Sequence, residues 1–124
     1  MSPLEAARGH LAKANEFLSE AESALQNGHL SVATSNAVIA GINAKDAICL
    51  ALVGRTSKSD EHRQAAAELR KAGKAGAELA STLDRLLRAK TKAQYQSLPI
   101  TRKDAEVAVR QAGQLAGGAQ AVMS

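Results

Sequence analysis

The polar segment from Gly54 to His62 holds the residues whose types could support chemistry, because it directly follows a mostly apolar stretch, residues 36–53. Arg55, Lys58 and His62 lie within this short polar stretch, which the histidine closes. A histidine titrates near neutral pH and can transfer protons, and a guanidinium can bind an oxyanion. The same polar residues could instead serve only to start the next helix, so both interpretations stay open at this point.

Residue spacing argues against other kinds of site. The chain has one cysteine, Cys49, and its three histidines, His10, His29 and His62, are far apart, so no metal-ligand spacing exists. No Walker-type or dinucleotide-binding glycine motif and no nucleophile elbow is present. We therefore expect neither a metal nor a cofactor. Cys49 is expected to be a buried small apolar residue, and His10 an ordinary surface histidine.

The charge is distributed unevenly along the 124 residues, whose net charge is +4. Residues 1–54 carry 3 basic and 5 acidic side chains, whereas residues 55–124 carry 13 and 7. A basic second half suggests an anionic partner such as RNA or an acidic protein surface, although lysine-rich solvent faces of helices look similar. No secretion signal and no apolar run of membrane-spanning length is apparent, so a cytoplasmic location is expected.

Five helices are predicted, in one all-α domain over residues 1–124 that forms an antiparallel up-and-down bundle of four to five helices. Ser2 and Thr101 are expected to cap the first and last helices. The first helix is predicted over about 3–26, with one apolar seam of leucines every seven residues interleaved with Ala7, Ala14 and Ala21, and the second over about 30–53. Two glycines predict a break at 71–76, with helix resuming near Glu78 and ending by Ser97.

The second helix is apolar nearly all round, which predicts a buried, central position. Lys45 and Asp46 are its charged residues. Because an isolated charge is costly to bury, we expect both to emerge at a seam or solvent strip, unless a pocket or protein interface holds them.

Three stretches taken together resemble the HEPN superfamily of helical domains. They are the apolar helix Ala37–Leu52, the polar loop that leads to His62, and the segment Lys92-Ala-Gln-Tyr95 followed by an extended piece and an alanine-rich last helix. The resemblance spans most of the chain and implies an up-and-down helical bundle that is commonly dimeric. Many members are metal-independent ribonucleases, some of toxin or defence type.

The resemblance also implies roles for particular residues. Nuclease members carry Arg, four to six residues and then His, and Arg55 and His62 fit this spacing at its upper limit, with Thr56 in the polar place after the arginine. Arg55 would hold the phosphate and His62 would act as acid or base. Lys58, Lys92 and Tyr95 would bind phosphate or nucleotide. Alternatively, Tyr95 packs its ring over the end of the bundle, and the protein is a non-catalytic domain that binds a partner such as a nucleotidyltransferase.

Overall fold

The computed structural model describes residues 1–58, 62–95 and 99–124, although the side chains of His62 and of residues 92–95 lie outside the described part. The described residues form helices and connecting loops only, which confirms the all-α prediction. The helices are α1 (Pro3–Gln26), α2 (Leu30–Val53), α3 (His62–Arg70), α4 (Gly73–Tyr95) and α5 (Arg102–Met123).

Contacts between helix ends give the directions of the helices. His10 near the start of α1 meets Asn43 in the second half of α2, so these two helices are antiparallel. The start of α4 at Gly73 lies beside Leu52 at the end of α2, so α4 returns along α2. Gly118 near the end of α5 lies against Leu79 near the start of α4, so α5 is antiparallel to α4. The four long helices therefore alternate in direction.

The bounds of α1 and α2 agree with the predicted ones, and both predicted caps form. Ser2 accepts a hydrogen bond from the Glu5 amide at 3.1 Å, and Thr101 accepts one from the Asp104 amide at 3.1 Å. These bonds satisfy amides that would otherwise have no partner in the first turn of a helix.

The turn between α3 and α4 is tighter than predicted, because α4 begins at Gly73 rather than near residue 78. Gly73 has a φ of 76°, in the left-handed region that favours glycine. At Gly76 a side chain would collide with the carbonyl oxygen of Leu69. The glycines that predicted a loop therefore allow two helices to meet closely.

Alanines rather than leucines form the buried face of α1. Ala7, Ala14 and Ala21 have no exposed surface, whereas Leu4 is 44% exposed. The other three heptad leucines are only partly buried at the flanks of the seam. The opposing face of α2 is also built from alanines, so the helix axes can approach closely.

Helix α2 contacts each of the other four helices, as its all-round apolar pattern predicted. At Gly41 a Cβ atom would clash with Leu86 of α4 and would lie 3.3 Å from Leu115 of α5. By length and composition alone α2 could cross a membrane, but 50% of its most apolar window is buried against the rest of the protein. The central helix of a bundle has the same composition, so this is not convincing support for a membrane span.

Candidate functional site

The loop after α2 is shaped first by Gly54, which ends the helix with a φ of 82°. Its amide donates to the carbonyl oxygens of Cys49 and Leu50, each at 3.1 Å. This left-handed residue turns the chain out of the helix axis, where a side chain with Cβ would be strained. Residues 55–58 then pass close to α2 and α3.

A buried lysine holds this loop. Lys45 is 2% exposed, and its Nζ donates to Thr56 Oγ1 and to Glu68 Oε1, each at 2.8 Å. Longer contacts of 3.3 Å join the same nitrogen to Asp46 Oδ1 and to the Ser57 carbonyl oxygen. Lys45 therefore does not reach a solvent strip. A carboxylate from α3 and the returning loop form the polar pocket that a buried lysine was expected to need.

The loop residues complete the polar cluster that we call the Lys45 network, which consists of Lys45, Asp46, Thr56, Ser57 and Glu68. The Thr56 hydroxyl donates to Asp46 Oδ1 at 2.6 Å. The Ser57 amide donates to Glu68 Oε2 at 3.0 Å, and the Ser57 hydroxyl donates to Glu68 Oε1. Among the described residues, no buried side-chain nitrogen or oxygen lacks a partner. The network thus fixes both the backbone and the side chains of residues 56 and 57.

Burial and the Lys45 network together shift the pKa values of two groups, Glu68 and Cys49. Burial disfavours the charged form of Glu68, but hydrogen bonds from Lys45 and Ser57 outweigh it and lower the pKa of this carboxyl below its ordinary value. Burial raises the pKa of the neighbouring Cys49 thiol, although Lys45 opposes that rise. Glu68 is therefore ionised at neutral pH, and Cys49 is a protonated, unreactive thiol.

His10 of α1 approaches the same region from the other side. Its Nδ1 lies 2.9 Å from Asn43 Oδ1 and 3.9 Å from Asp46 Oδ2, and its side chain is 28% exposed. Because Asn43 Nδ2 donates to the Ile39 carbonyl oxygen at 3.0 Å, Oδ1 accepts from His10. His10 is thus an oriented, partly buried histidine rather than the ordinary surface residue that the sequence suggested.

The sequence-predicted residues near the loop differ in their surroundings. Arg55 and Lys58 are exposed, and they flank the two residues that the Lys45 network holds. His62 is the first residue of α3, and its side chain lies outside the described residues. The backbone geometry therefore presents two cations to solvent from a loop whose centre is fixed.

Lys92 and Tyr95 lie in the last turn of α4, and their side chains are also outside the described part. Since α4 starts beside Leu52 and runs antiparallel to α2, its end lies about 30 Å from its start at 1.5 Å per residue. Within one copy of the chain, these two residues therefore do not converge with Arg55.

Sequence reasoning missed His10, Asn43 and Glu68 as neighbours of the loop. The spacing of Lys45 and Asp46 in an otherwise apolar helix was the one available signal, because buried charges need partners. No group of three or more His, Cys, Asp or Glu side chains that could hold a metal ion occurs within residues 1–58, 62–95 and 99–124, as far as their side chains are described.

Comparison with known families agrees with the fold and with the resemblance noted in the sequence. The family model of the HEPN domain matches residues 7–117, a range that begins within α1, ends within α5 and includes the loop after α2. No curated protein matches the chain. Because the matched region covers nearly the whole sequence, the chain belongs to the HEPN domain family.

Proposed function

We propose that this protein is a cytoplasmic HEPN ribonuclease of toxin or defence type, which acts as a homodimer and needs no metal. The observation that carries the proposal is the fixed loop: Thr56 and Ser57 are bound to α2 and α3, while Arg55 before them and Lys58 after them are exposed. A site that binds phosphate gains affinity when the backbone that carries its cations does not have to be ordered on binding.

The proposed reaction is attack of the ribose 2′-oxygen on the adjacent phosphorus, with cleavage of the bond to the 5′-oxygen. His62 takes the 2′-hydroxyl proton or gives a proton to the departing 5′-oxygen, a role that suits histidine because an imidazole ordinarily exchanges protons near neutral pH. Arg55 neutralises charge on the phosphate as it develops. Two copies of the chain would supply the two proton-transfer groups of one composite site.

Three further residues are proposed to bind the RNA without taking part in proton transfer. Lys58, on the same loop as Arg55, would contact a neighbouring phosphate. Lys92 and Tyr95, at the far end of α4, would contact a phosphate or a base further along the strand or near the other subunit's site.

The test is cleavage of a fluorescent RNA in the presence of EDTA, comparing wild type with Arg55→Ala and His62→Ala. We expect each variant to lower the cleavage rate by about 100-fold or more, the usual effect of removing a proton-transfer or charge-stabilising group. His29→Ala and Arg110→Ala are the matched controls, because both residues are exposed and His29 makes no capping hydrogen bond. Intact RNA at a large excess of wild-type protein would rule out the ribonuclease.

A non-catalytic domain that binds a protein such as a nucleotidyltransferase is the second candidate. The exposed apolar side chains of Leu52 and Val53, which are 46% and 49% exposed beside the loop, favour a protein interface there. Sedimentation of Val53→Glu and wild type would show whether this surface joins two copies. A monomeric wild type without cleavage activity would leave the partner-binding function as the better account.

A further inference from the structure

A groove lies between the second half of α4 and the first turns of α5, far from the loop after α2. We call it the α4–α5 groove. It has a volume of about 360 Å³, and Thr34 of α2 forms part of its floor. Most of the other lining side chains form a cationic rim, namely Arg85, Arg88 and Lys103, and an aliphatic floor, namely Ala89, Ile100, Val107 and Ala108, and the polar side chains of Asp104 and Gln111 complete the lining.

The rim leaves positive charge without an internal partner. Arg88 pairs with Asp84 at 2.9 Å, but neither Arg85 nor Lys103 has an ion-pair partner in the part of the chain that the structure describes. Asp104 also lines the groove and makes its own interaction. The first turn of α5 begins here as well, and the positive end of its dipole adds to the preference for an anion.

The composition of the groove bears on which of two anionic partners, an acidic peptide or single-stranded RNA, it would bind. Ala108 is 1% exposed and lies beneath the groove, whereas the partly exposed Val107 and the edge of Ile100, which is 7% exposed, supply its aliphatic surface. The Thr34 hydroxyl donates to the Leu30 carbonyl oxygen at 2.9 Å and is not available to a ligand. None of the described side chains that line the groove is aromatic, whereas single-stranded RNA is usually held by stacking of its bases on aromatic rings.

We propose that the α4–α5 groove binds an acidic peptide segment of a partner protein. A leucine or similar aliphatic side chain of the peptide packs on Ile100 and Val107, and carboxylates on either side of it pair with Arg85 and Lys103. Guanidinium groups suit carboxylates because two parallel hydrogen bonds can form.

This surface is separate from the Lys45 network. Thr34 lies three turns before Lys45 in α2, which corresponds to about 16 Å along the helix axis. The proposal therefore does not depend on ribonuclease activity, and a variant of the groove should leave the loop unchanged.

Fluorescence anisotropy with a fluorescein-labelled peptide of about twelve residues tests the proposal, the peptide consisting of glutamates interrupted by two leucines. We expect saturable binding that weakens as salt is raised. The double variant Arg85→Glu/Lys103→Glu should weaken it at least about tenfold, because each exposed ion pair is lost and replaced by repulsion. The control Lys13→Glu/Lys71→Glu changes the same charge at exposed positions outside the groove and should stay within about twofold of wild type.

Each of the following outcomes would overturn the proposal. The peptide does not bind, or both double variants weaken it equally, which would mean attraction to net charge alone. A peptide with serine in place of leucine binds equally well, which would remove the role of the floor. An oligouridylate of equal charge binds more tightly than the peptide and loses affinity in the groove variant only, which would make the groove an RNA site. Circular dichroism of both variants checks that they are folded.

Discussion

Substitution of Lys45 and substitution of Glu68 should lower the free energy of unfolding by different amounts, because Lys45 is buried more deeply than Glu68. Lys45 is 2% exposed as a residue, whereas the side chain of Glu68 is 27% exposed. In Glu68→Ala the ammonium stays buried and loses its 2.8 Å carboxylate contact, and Ser57 loses its two bonds to the same group. In Lys45→Met the carboxylates that remain can still be reached by water.

The expected magnitudes come from these contacts. Breaking a buried ion pair usually costs about 3–5 kcal/mol, but Asp46 remains 3.3 Å from Nζ, so we expect about 3 kcal/mol for Glu68→Ala. Lys45→Met fills the space of the lysine stem and should cost about 1–2 kcal/mol. The double variant should be less destabilised than the sum of the two, by about 1–2 kcal/mol.

Urea unfolding followed by circular dichroism at pH 7 measures these differences as changes in the free energy of unfolding. Glu106→Ala is the matched control, because Glu106 pairs with Arg102 at 3.1 Å on the surface of α5, where both side chains are more than half exposed. That variant should change the free energy of unfolding by about 0.5 kcal/mol or less. If Lys45→Met destabilised more than Glu68→Ala, or if the two effects simply added, the interpretation of a buried cation held by Glu68 would be refuted.

Three further predictions concern Glu68, Cys49 and Gly76. Because the pKa of Glu68 is lowered in the folded state, its contribution to stability is complete above the ordinary pKa of 4.5 and is lost as pH falls through the folded value, so the pH dependence of urea unfolding in acid should be weaker in Glu68→Gln. If wild type and Glu68→Gln had parallel profiles, the lowered pKa would be wrong. Cys49 should react with a thiol reagent much more slowly than a model thiol at pH 8, because the thiol is buried and its pKa is raised. The reaction should be faster in Glu68→Ala, because the Glu68 charge contributes to that raised pKa. Fast labelling of wild type would contradict the burial of Cys49. Gly76→Ala should lower the free energy of unfolding by about 1–3 kcal/mol because its side chain would meet the Leu69 carbonyl. By contrast, Gly117→Ala, where the space is open, should raise it by about 0.5–1 kcal/mol, and equal effects would argue against the tight α3–α4 turn.

The helices were predictable because their signals are local. Ser2 and Thr101 cap helices through bonds to residues three positions later, and both caps form as predicted. The all-round apolar pattern of α2 likewise predicted its central position, because a helix with no polar face must be covered on most sides. The start of α4 was predicted five residues too late, since a glycine that ends one helix and a glycine that admits close packing look alike in sequence.

The candidate site was less predictable because its contacts are not local. The partner of Lys45 in α3, Glu68, lies 23 residues later in the chain, and His10 meets Asn43 across 33 residues. Spacing within one helix could suggest that Lys45 needed partners, but it could not select them. The α4–α5 groove likewise arises only where two helices pack together in the fold, so its rim of arginines and lysine looked like ordinary solvent-facing charge in the sequence.

The alanine seam between α1 and α2 has a consequence for the entropy of folding. Alanine has no side-chain rotamers to lose, so a long contact between these helices forms at almost no cost in side-chain entropy. The attraction between α1 and α2 along this seam consists of many weak dispersion contacts between closely spaced backbones. The deeply buried larger side chains are instead concentrated elsewhere, namely at Ile48, Leu69, Leu83, Leu86, Leu87 and Leu115. Enlarging any alanine of the seam would therefore separate the two helices along several turns, whereas truncating one leucine of α4 would leave only a local void.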